Sequence, residues 1–386
     1  MTVSVGALIA ADEQFLHQVV ETFANVQSTD FGWCDRAYGA AQAKDGSFGI
    51  HWSLGKWTNR NVLDGHAGVA RGRTSLIVRA NRRLQPRPLD LSVGPLRMEV
   101  LEPLKRVRYV LEANDQQPIA FDIVHEGLEP PWLEDRQVQM RGYRRAKDEI
   151  RYMQLGAVSG WLQFEGERVE IDPDRWFGYR DHSWGVKENI GPPPADMPVS
   201  AEFPKGVQYR MVWCLCRLTR PNGEAYRVHL FKWEVVSARA TQIFNETKIM
   251  EADGSSYDTA SSRIDLRYDP TTREPLGGRF VCTMHDGTTR AFGIEAVGNS
   301  RTVLGAGGLY FGYKGRYQGQ VMGALHVDGE RVPDTADPDF CRAAHQNRDT
   351  LVRVEDPVGG GSGWGILNSE IVGAWPQLGL GENYWR

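Results

Sequence analysis

A chain of 386 residues and 43.4 kDa has room for roughly two or three domains and for a core that needs no disulfide staples. Lys plus Arg (45) nearly balances Asp plus Glu (49), leaving a net charge of −4, which argues against a nucleic-acid protein with its net basic face. The 42 glycines and abundant aromatics, with only 41% hydrophobic residues, exclude a coiled coil, a disordered chain and an integral membrane protein, and point to short strands joined by tight turns.

In chain order, the N-terminal apolar run Val3 to Ala11 lacks a preceding basic region and meets Asp12-Glu13, so it makes a poor signal peptide. Phe15, Leu16, Val19, Val20 and Phe23 recur at helical spacing after that acidic turn, which predicts one short helix. Almost everything afterwards alternates with period two. Val107 to Glu112 and Ile119 to Val124 flank Asn114-Asp115, and Trp161 to Phe164 and Arg168 to Ile171 flank Glu165-Gly166-Glu167. Val207 to Leu218 and Tyr226 to Val236 flank Pro221-Asn222-Gly223; Arg279 to Met284 and Thr289 to Ile294 flank Asp286-Gly287. Strands are also expected at Tyr310 to Tyr313 and Gln320 to Val327, and a short helix or loop within Val332 to Arg348. Hairpin after hairpin without helical crossovers implies an all-β protein of antiparallel sheets, closed or sandwiched. The run Gly191-Pro192-Pro193-Pro194-Ala195-Asp196 cannot join a ladder, so the chain divides into a β-domain over residues 1–190, with the leading helix, and a second over 191–386.

Functional side chains are densest just before the prolines, from Phe177 through Tyr179, Arg180, Asp181, His182, Ser183, Trp184 and Gly185 to Glu188. Neighbours on a regular strand point to opposite faces, so Asp181 and His182 would converge only in a turn or bulge, for which Gly178 and Gly185 leave room. A carboxylic acid buried among Trp and Tyr has its pKa raised and can donate a proton near neutral pH. The bland alternative is that Asp181 bonds a turn and His182 packs beside Trp184. His51 and His66 flank the polar stretch Lys56 to Gly65, which would suit a barrel mouth, although ordinary histidines are the simpler reading; Asp64 beside Gly65 reads as a turn residue. The basic groups Arg79/Arg82/Arg83/Arg87 and Arg141/Arg144/Arg145/Lys147 read as solvated faces.

Arg180-Asp181-His182-Ser183-Trp184-Gly185 resembles the Asp-His-x-Trp-Gly signature of lipocalin-like proteins related to carotenoid 1,2-hydratase (hydroxyneurosporene synthase), a superfamily that includes two-domain AttH-like proteins and fungal enzymes acting on polyketide or terpenoid olefins, some of them pericyclases. Ile50 to Trp57, Gly156 to Gly160 and the terminal Gly363-Trp364-Gly365 resemble further pieces of that pattern, which would cover most of the chain. The resemblance implies paired lipocalin-like β-barrels or sandwiches with an apolar pocket, and a cofactor-independent lyase that hydrates or dehydrates an apolar, terpenoid-like or polycyclic small molecule. A cyclase or isomerase of pericyclase type, or a non-catalytic carrier, are the other readings it leaves. Mapped onto this chain, Asp181 would be the acid, His182 its partner or the base, with Tyr179 or Glu188 able to take either proton role. Trp184, Trp52 and Trp57 would stabilise positive charge and, with Trp176 and His51, would wall the substrate.

The five cysteines are odd in number and scattered, which fits a reducing cytoplasm. Cys214 and Cys216 share one strand face and read as core; a metal there would require His229 on the neighbouring strand. Neither Gly305-Ala306-Gly307-Gly308 nor Gly359 to Gly363 completes a phosphate loop or a G-x-S-x-G elbow. No cofactor and no metal are expected. Neither nucleic acid nor a membrane-spanning segment is expected as a partner, and homodimerisation is left open.

Overall fold

The structure is a computed structural model that describes residues 7–17, 28–141, 144–188, 190–193 and 206–382. It is all-β, with two curled, barrel-like antiparallel sheets in two compact units. The first unit comprises residues 1–43, 48–197 and 305–333; the second comprises 44–47, 198–304 and 334–386.

The strands of the first unit begin with β1 (Trp33–Ala43), β2 (Phe48–Trp57), β3 (Val62–Arg71) and β4 (Thr74–Arg83). They continue with β5 (Ser92–Val93), β6 (Leu96–Glu102), β7 (Arg106–Leu111), β8 (Ile119–Gly127) and β9 (Trp132–Leu133). Then come β10 (Gln137–Arg141), β11 (Arg144–Phe164), β12 (Glu167–Ile171) and β13 (Trp176–Val186). In the second unit β14 (Gln208–Thr219) and β15 (Ala225–Val236) form the hairpin that Pro221-Asn222-Gly223 announced, followed by β16 (Thr241–Asn245), β17 (Lys248–Met250) and β18 (Ser256–Asp258). After β19 (Ser261–Tyr268), β20 (Pro275–Thr283), β21 (Thr289–Ala296) and β22 (Thr302–Val303), the chain contributes β23 (Leu325–Val332) to the first unit. It closes with β24 (Arg348–Asp356) and β25 (Gly361–Val372).

The main path of the first sheet runs β23-β4-β3-β2-β1-β13-β11-β8-β7-β6-β5. The units differ from a single cut at residue 190 most of all at β23, which pairs antiparallel with β4, Leu325 opposite Arg82 and Val332 opposite Ser75, and carries 305–333 into the first unit. The second sheet runs β18-β17-β15-β14-β25-β24-β21-β20-β19 around a core that includes Cys214, Cys216, Tyr226, Phe280 and Phe292.

One local expectation changes. Tyr310 to Tyr313 is no strand: Leu309, Phe311, Gly312, Lys314 and Gly315 all have positive φ, which turns the chain instead of extending it. At the N-terminus, Ala10–Glu13 forms one 3₁₀ turn and Phe15 enters the core, while Val19, Val20 and Phe23 lie outside the described residues. The stretch Val332 to Arg348 does hold a short helix, Pro338–Ala343, capped by the Asp337 side chain.

Alternation along β1 to β4 sorts side chains between two faces. Ala37, Ala41, Ile50, Trp52, Leu54, Leu63, Ala67, Leu76 and Val78 fill the interior of the curl. Gly39 is one of these inward positions: a Cβ there would sit 2.4 Å from the Trp52 ring, so the glycine makes room for the indole. Arg36, Tyr38, His51, Ser53, Asp64, His66, Arg79 and Asn81 alternate with this set and face the other way.

Candidate active site

The signature segment lies in the middle of β13, paired to β1 on one side and β11 on the other without a register shift. In so regular a strand Asp181 and His182 must face opposite ways, and the structure does not bring them together.

His182 points inward. Its Nε2 lies 2.6 Å from Asp35 Oδ1 and its Nδ1 3.1 Å from the Tyr152 hydroxyl. That hydroxyl donates to Glu13 Oε1 at 2.7 Å, and Arg180 donates to both Glu13 oxygens at 2.7 and 2.8 Å. His17 lies 3.1 Å from Asp35 Oδ2 through Nδ1 and 3.1 Å from Asp12 Oδ1 through Nε2, and it stacks on Trp184 at 3.8 Å. Asp12, Glu13, His17, Asp35, Arg180 and His182 are all buried. Burial opposes charge on the His182 ring, but the Asp35 and Glu13 carboxylates outweigh it and push its pKa up to about 9. Burial likewise opposes ionisation of Glu13, yet the Arg180 guanidinium and His182 hold its carboxyl far below the usual range. The result is a charge-compensated clasp that ties the segment around Asp12 to His17 onto β1 and β13. His17, Asp35 and His182 offer three donor atoms within 4.8 Å of one another, the set that could hold a metal. Each is already hydrogen-bonded, and the raised pKa values of both rings favour protons there.

Asp181 faces the other side, opposite Tyr38 on β1 and Met153 on β11. It is partly buried and, among the described residues, makes no side-chain hydrogen bond or ion pair. Burial raises its pKa, against the pull of Arg151, Lys187 and Arg36. Tyr179 shares this face two residues away, its ring 5.8 Å from that of Tyr38. Tyr310 belongs to the same neighbourhood; its hydroxyl pKa is raised by burial and by the Asp181 charge, against the pull of Arg36 and Lys187. A carboxyl whose pKa is raised by burial, held on a rigid strand among phenols, is a candidate general acid.

Alongside, on the same face of β1 to β4, lies a cavity with about 500 Å³ of empty space, part of it open to solvent. Arg36, Ser53, Asp64, His66, Arg79 and Asn81 line it from the strands, and residues 307–309, 316–318, Met322, His326 and Asp328 from the later segment of the same unit. Polar residues make up most of its lining, although most of the surface it exposes is apolar.

The other residues singled out in the sequence scatter. Trp52 is interior, 4.5 Å from the Tyr109 ring, and Trp176 is part of the same core. Trp57 is buried and donates from Nε1 to Asp64 Oδ1 at 2.6 Å. His51 is wholly buried beside His66, their rings 5.1 Å apart, and burial takes its pKa down to about 3. Glu188 follows the end of β13 and is partly buried. Asp64 is no turn residue: it sits inside β3, accepts from Trp57 and from the Gly319 N–H at 2.7 Å, and faces the cavity. Arg79 and Arg82 are buried, contrary to a solvated face: Arg79 meets Asp328 and Glu330, and Arg82 caps backbone carbonyls from Arg83 to Ser92. Cys214 and Cys216 are core, while His229 pairs opposite Leu215 on the other face beside Trp213, away from both thiols.

Sequence reasoning missed Arg36, Tyr310, Glu13 and Asp35. Arg36 and Asp35 lie in an ordinary-looking strand, and their partners are far away in sequence: 274 residues to Tyr310 and 147 to His182.

Fold and site together define a two-unit, lipocalin-like β-protein with a half-buried carboxyl on one face of its first sheet. Residues 8–381 match a family of unknown function, DUF8625, and the chain belongs to that family. No curated protein matches it. Among solved structures, a Nitrosomonas europaea protein described as AttH is 13% identical with a TM-score of 0.52, over 92% of this chain and 99% of that one. CghA with Sch210972 is 13% identical (TM-score 0.49, 92% and 96% covered), and kievitone hydratase from Nectria haematococca 12% (0.42, 86% and 88%). At such identities the likeness to the AttH-type protein is one of fold.

Proposed function

We propose that this protein is a cofactor-independent hydratase or dehydratase of a small organic molecule, largely apolar and terpenoid-like or polycyclic, with Asp181 as its proton donor. One observation carries the reading: Asp181 has a carboxyl pKa raised by burial, no hydrogen-bond partner among the described residues, and Tyr38 and Tyr179 on its own face. In the hydration direction the Asp181 proton passes to an alkene carbon, the π electrons form the new C–H bond, and the adjacent carbon becomes cationic. Water oxygen bonds to that carbon, and one water proton returns to the carboxylate. Tyrosine faces suit the passing cation, and Arg36, Arg151 and Lys187 favour the carboxylate left after proton donation. His182 has no part in this scheme, since it lies on the opposite face. The five free, buried cysteines suit a reducing compartment such as the cytoplasm, and no helix among the described residues is long and apolar enough to cross a membrane.

The test is turnover of a panel of apolar olefins and tertiary alcohols in D₂O, with wild type and Asp181→Asn. Deuterium at the protonated carbon in wild type, and loss of at least about 100-fold in Asp181→Asn with ligand binding retained, is the expected outcome. Full activity in Asp181→Asn removes the acid role and leaves a cyclase that merely folds its substrate; binding without turnover leaves a carrier.

A further inference from the structure

We propose that the cavity beside Asp181 is an anion site, built to take the carboxylate or an equivalent oxyanion of a small organic molecule, with Arg36 as its charge partner. The reason is an imbalance. Among the described residues of the first unit, four arginines are buried: Arg36, Arg79, Arg82 and Arg180. Three meet a carboxylate, Arg79 at Asp328 and Glu330, Arg82 at Asp90 and Arg180 at Glu13. Arg36 bonds none among the described residues, although the Asp181 and Asp64 charges act on it from further away. Its Nε donates to Ser53 Oγ at 2.8 Å, one terminal nitrogen to the Tyr310 hydroxyl, and the other lies 3.4 Å from His66 Nε2, all neutral groups. The Tyr310 ring, 4.7 Å from the guanidinium carbon, offsets part of the desolvation, but a face of π density does not fill the charged N–H fork. A guanidinium held out of water with no carboxylate bonded to it, only the Asp181 and Asp64 charges acting from beyond bonding distance, leaves its fork open to a bound anion.

Two more groups point the same way. His66 is 5% exposed and lines the cavity, and its Nδ1 has no partner. With Nε2 turned to the Arg36 donor, the ring proton belongs on Nδ1, which makes that atom a donor without an acceptor. A methyl added at Gly307 would sit 2.7 Å from His51 Nε2 and 3.5 Å from His66 Nδ1, so the glycine packs against both rings. Asn81, 8% exposed and also in the lining, has an unpartnered Oδ1 that can take the hydroxyl of a hydroxy acid or of a protonated carboxyl. The remaining charges are spoken for: Arg79 and Arg316 both bond Asp328, and the Asp64 oxygens accept from Trp57 and Gly319.

Isothermal titration calorimetry at low salt with acetate, benzoate and neutral benzamide tests this without turnover, so the anion site stands or falls separately from the role of Asp181. Saturable benzoate or acetate binding, with benzamide at least tenfold weaker than benzoate, is expected. Arg36→Met should weaken the anion at least tenfold, and His66→Phe severalfold, whereas Arg83→Met at the exposed end of β4 should leave it unchanged. Circular dichroism checks the folding of each variant, and the wild-type comparison decides the question should Arg36→Met not fold. Benzamide binding as tightly as benzoate, no saturable binding of either anion to wild type, or undiminished binding by a folded Arg36→Met would overturn the proposal.

Discussion

His182 shows how a residue can be conspicuous in sequence and serve the fold. Adjacency to Asp181 suggests a pair, but strand geometry separates them, and the imidazole becomes the centre of a buried clasp with Asp35, Tyr152 and Glu13. Its pKa, raised from 6.5 to about 9, has a consequence for stability. The protonated ring is bound more tightly in the folded state, so its contribution is complete below pH 6.5 and is lost as pH rises through about 9. By linkage that contribution is on the order of 3 kcal/mol. Wild-type melting temperature should therefore fall between pH 6.5 and 9.5, and His182→Gln should be less stable at pH 6.5 with a flatter slope; parallel curves for the two proteins would contradict the clasp. Removing its other end is costlier. Glu13→Gln leaves the Arg180 guanidinium buried without its carboxylate, which is expected to cost about 3–5 kcal/mol in chemical denaturation.

At the scale of elements, β1 was not among the strands singled out from the sequence, yet its small residues Ala37, Gly39 and Ala41 mark where the large Trp52 packs. Gly39→Ala should destabilise by about 1–3 kcal/mol, and combining it with Trp52→Leu should cost less than the two changes summed, because the clash disappears with the indole. Additive effects in urea melts would show that the two residues do not compete for one space. The hairpins at Asn114-Asp115, Pro221-Asn222-Gly223 and Asp286-Gly287 were readable because turn chemistry and alternation are local signals. The segment 309–315 was not, since aromatic β-formers there are overridden by a series of positive-φ turns. Asp64 likewise reads as a turn residue from its glycine neighbour, and only the pairing of β3 with β2 and β4 puts it in a strand facing the cavity. Sequence supplied the residue at the centre of the proposed site, Asp181. Its surroundings, Arg36 and Tyr310, could not be read, because they arrive from a different strand and from a segment more than 100 residues later.

For the molecule as a whole, the proline run marks a change of unit, yet the later half of the chain returns β23 and residues 305–324 to the first. Residues 1–190 expressed alone would lack both the strand that covers the β4 edge and the segment that lines the cavity. An unpaired β4 invites edge-to-edge association, so this fragment should aggregate or elute as an oligomer in size-exclusion chromatography, and a separately added 305–333 peptide should suppress that. A monodisperse fragment that melts like the full chain would show that β23 is dispensable.

The likeness to AttH-type folds leaves the chemistry to individual side chains, and the proposed acid is the one on which the functional reading turns. A crystal structure with a soaked hydrophobic olefin or tertiary alcohol tests it most directly. The expected result is a ligand on the Asp181 face of β13, with a reacting carbon or its hydroxyl within about 3–3.5 Å of the Asp181 carboxyl. A ligand bound where Asp181 cannot reach it would contradict the assignment.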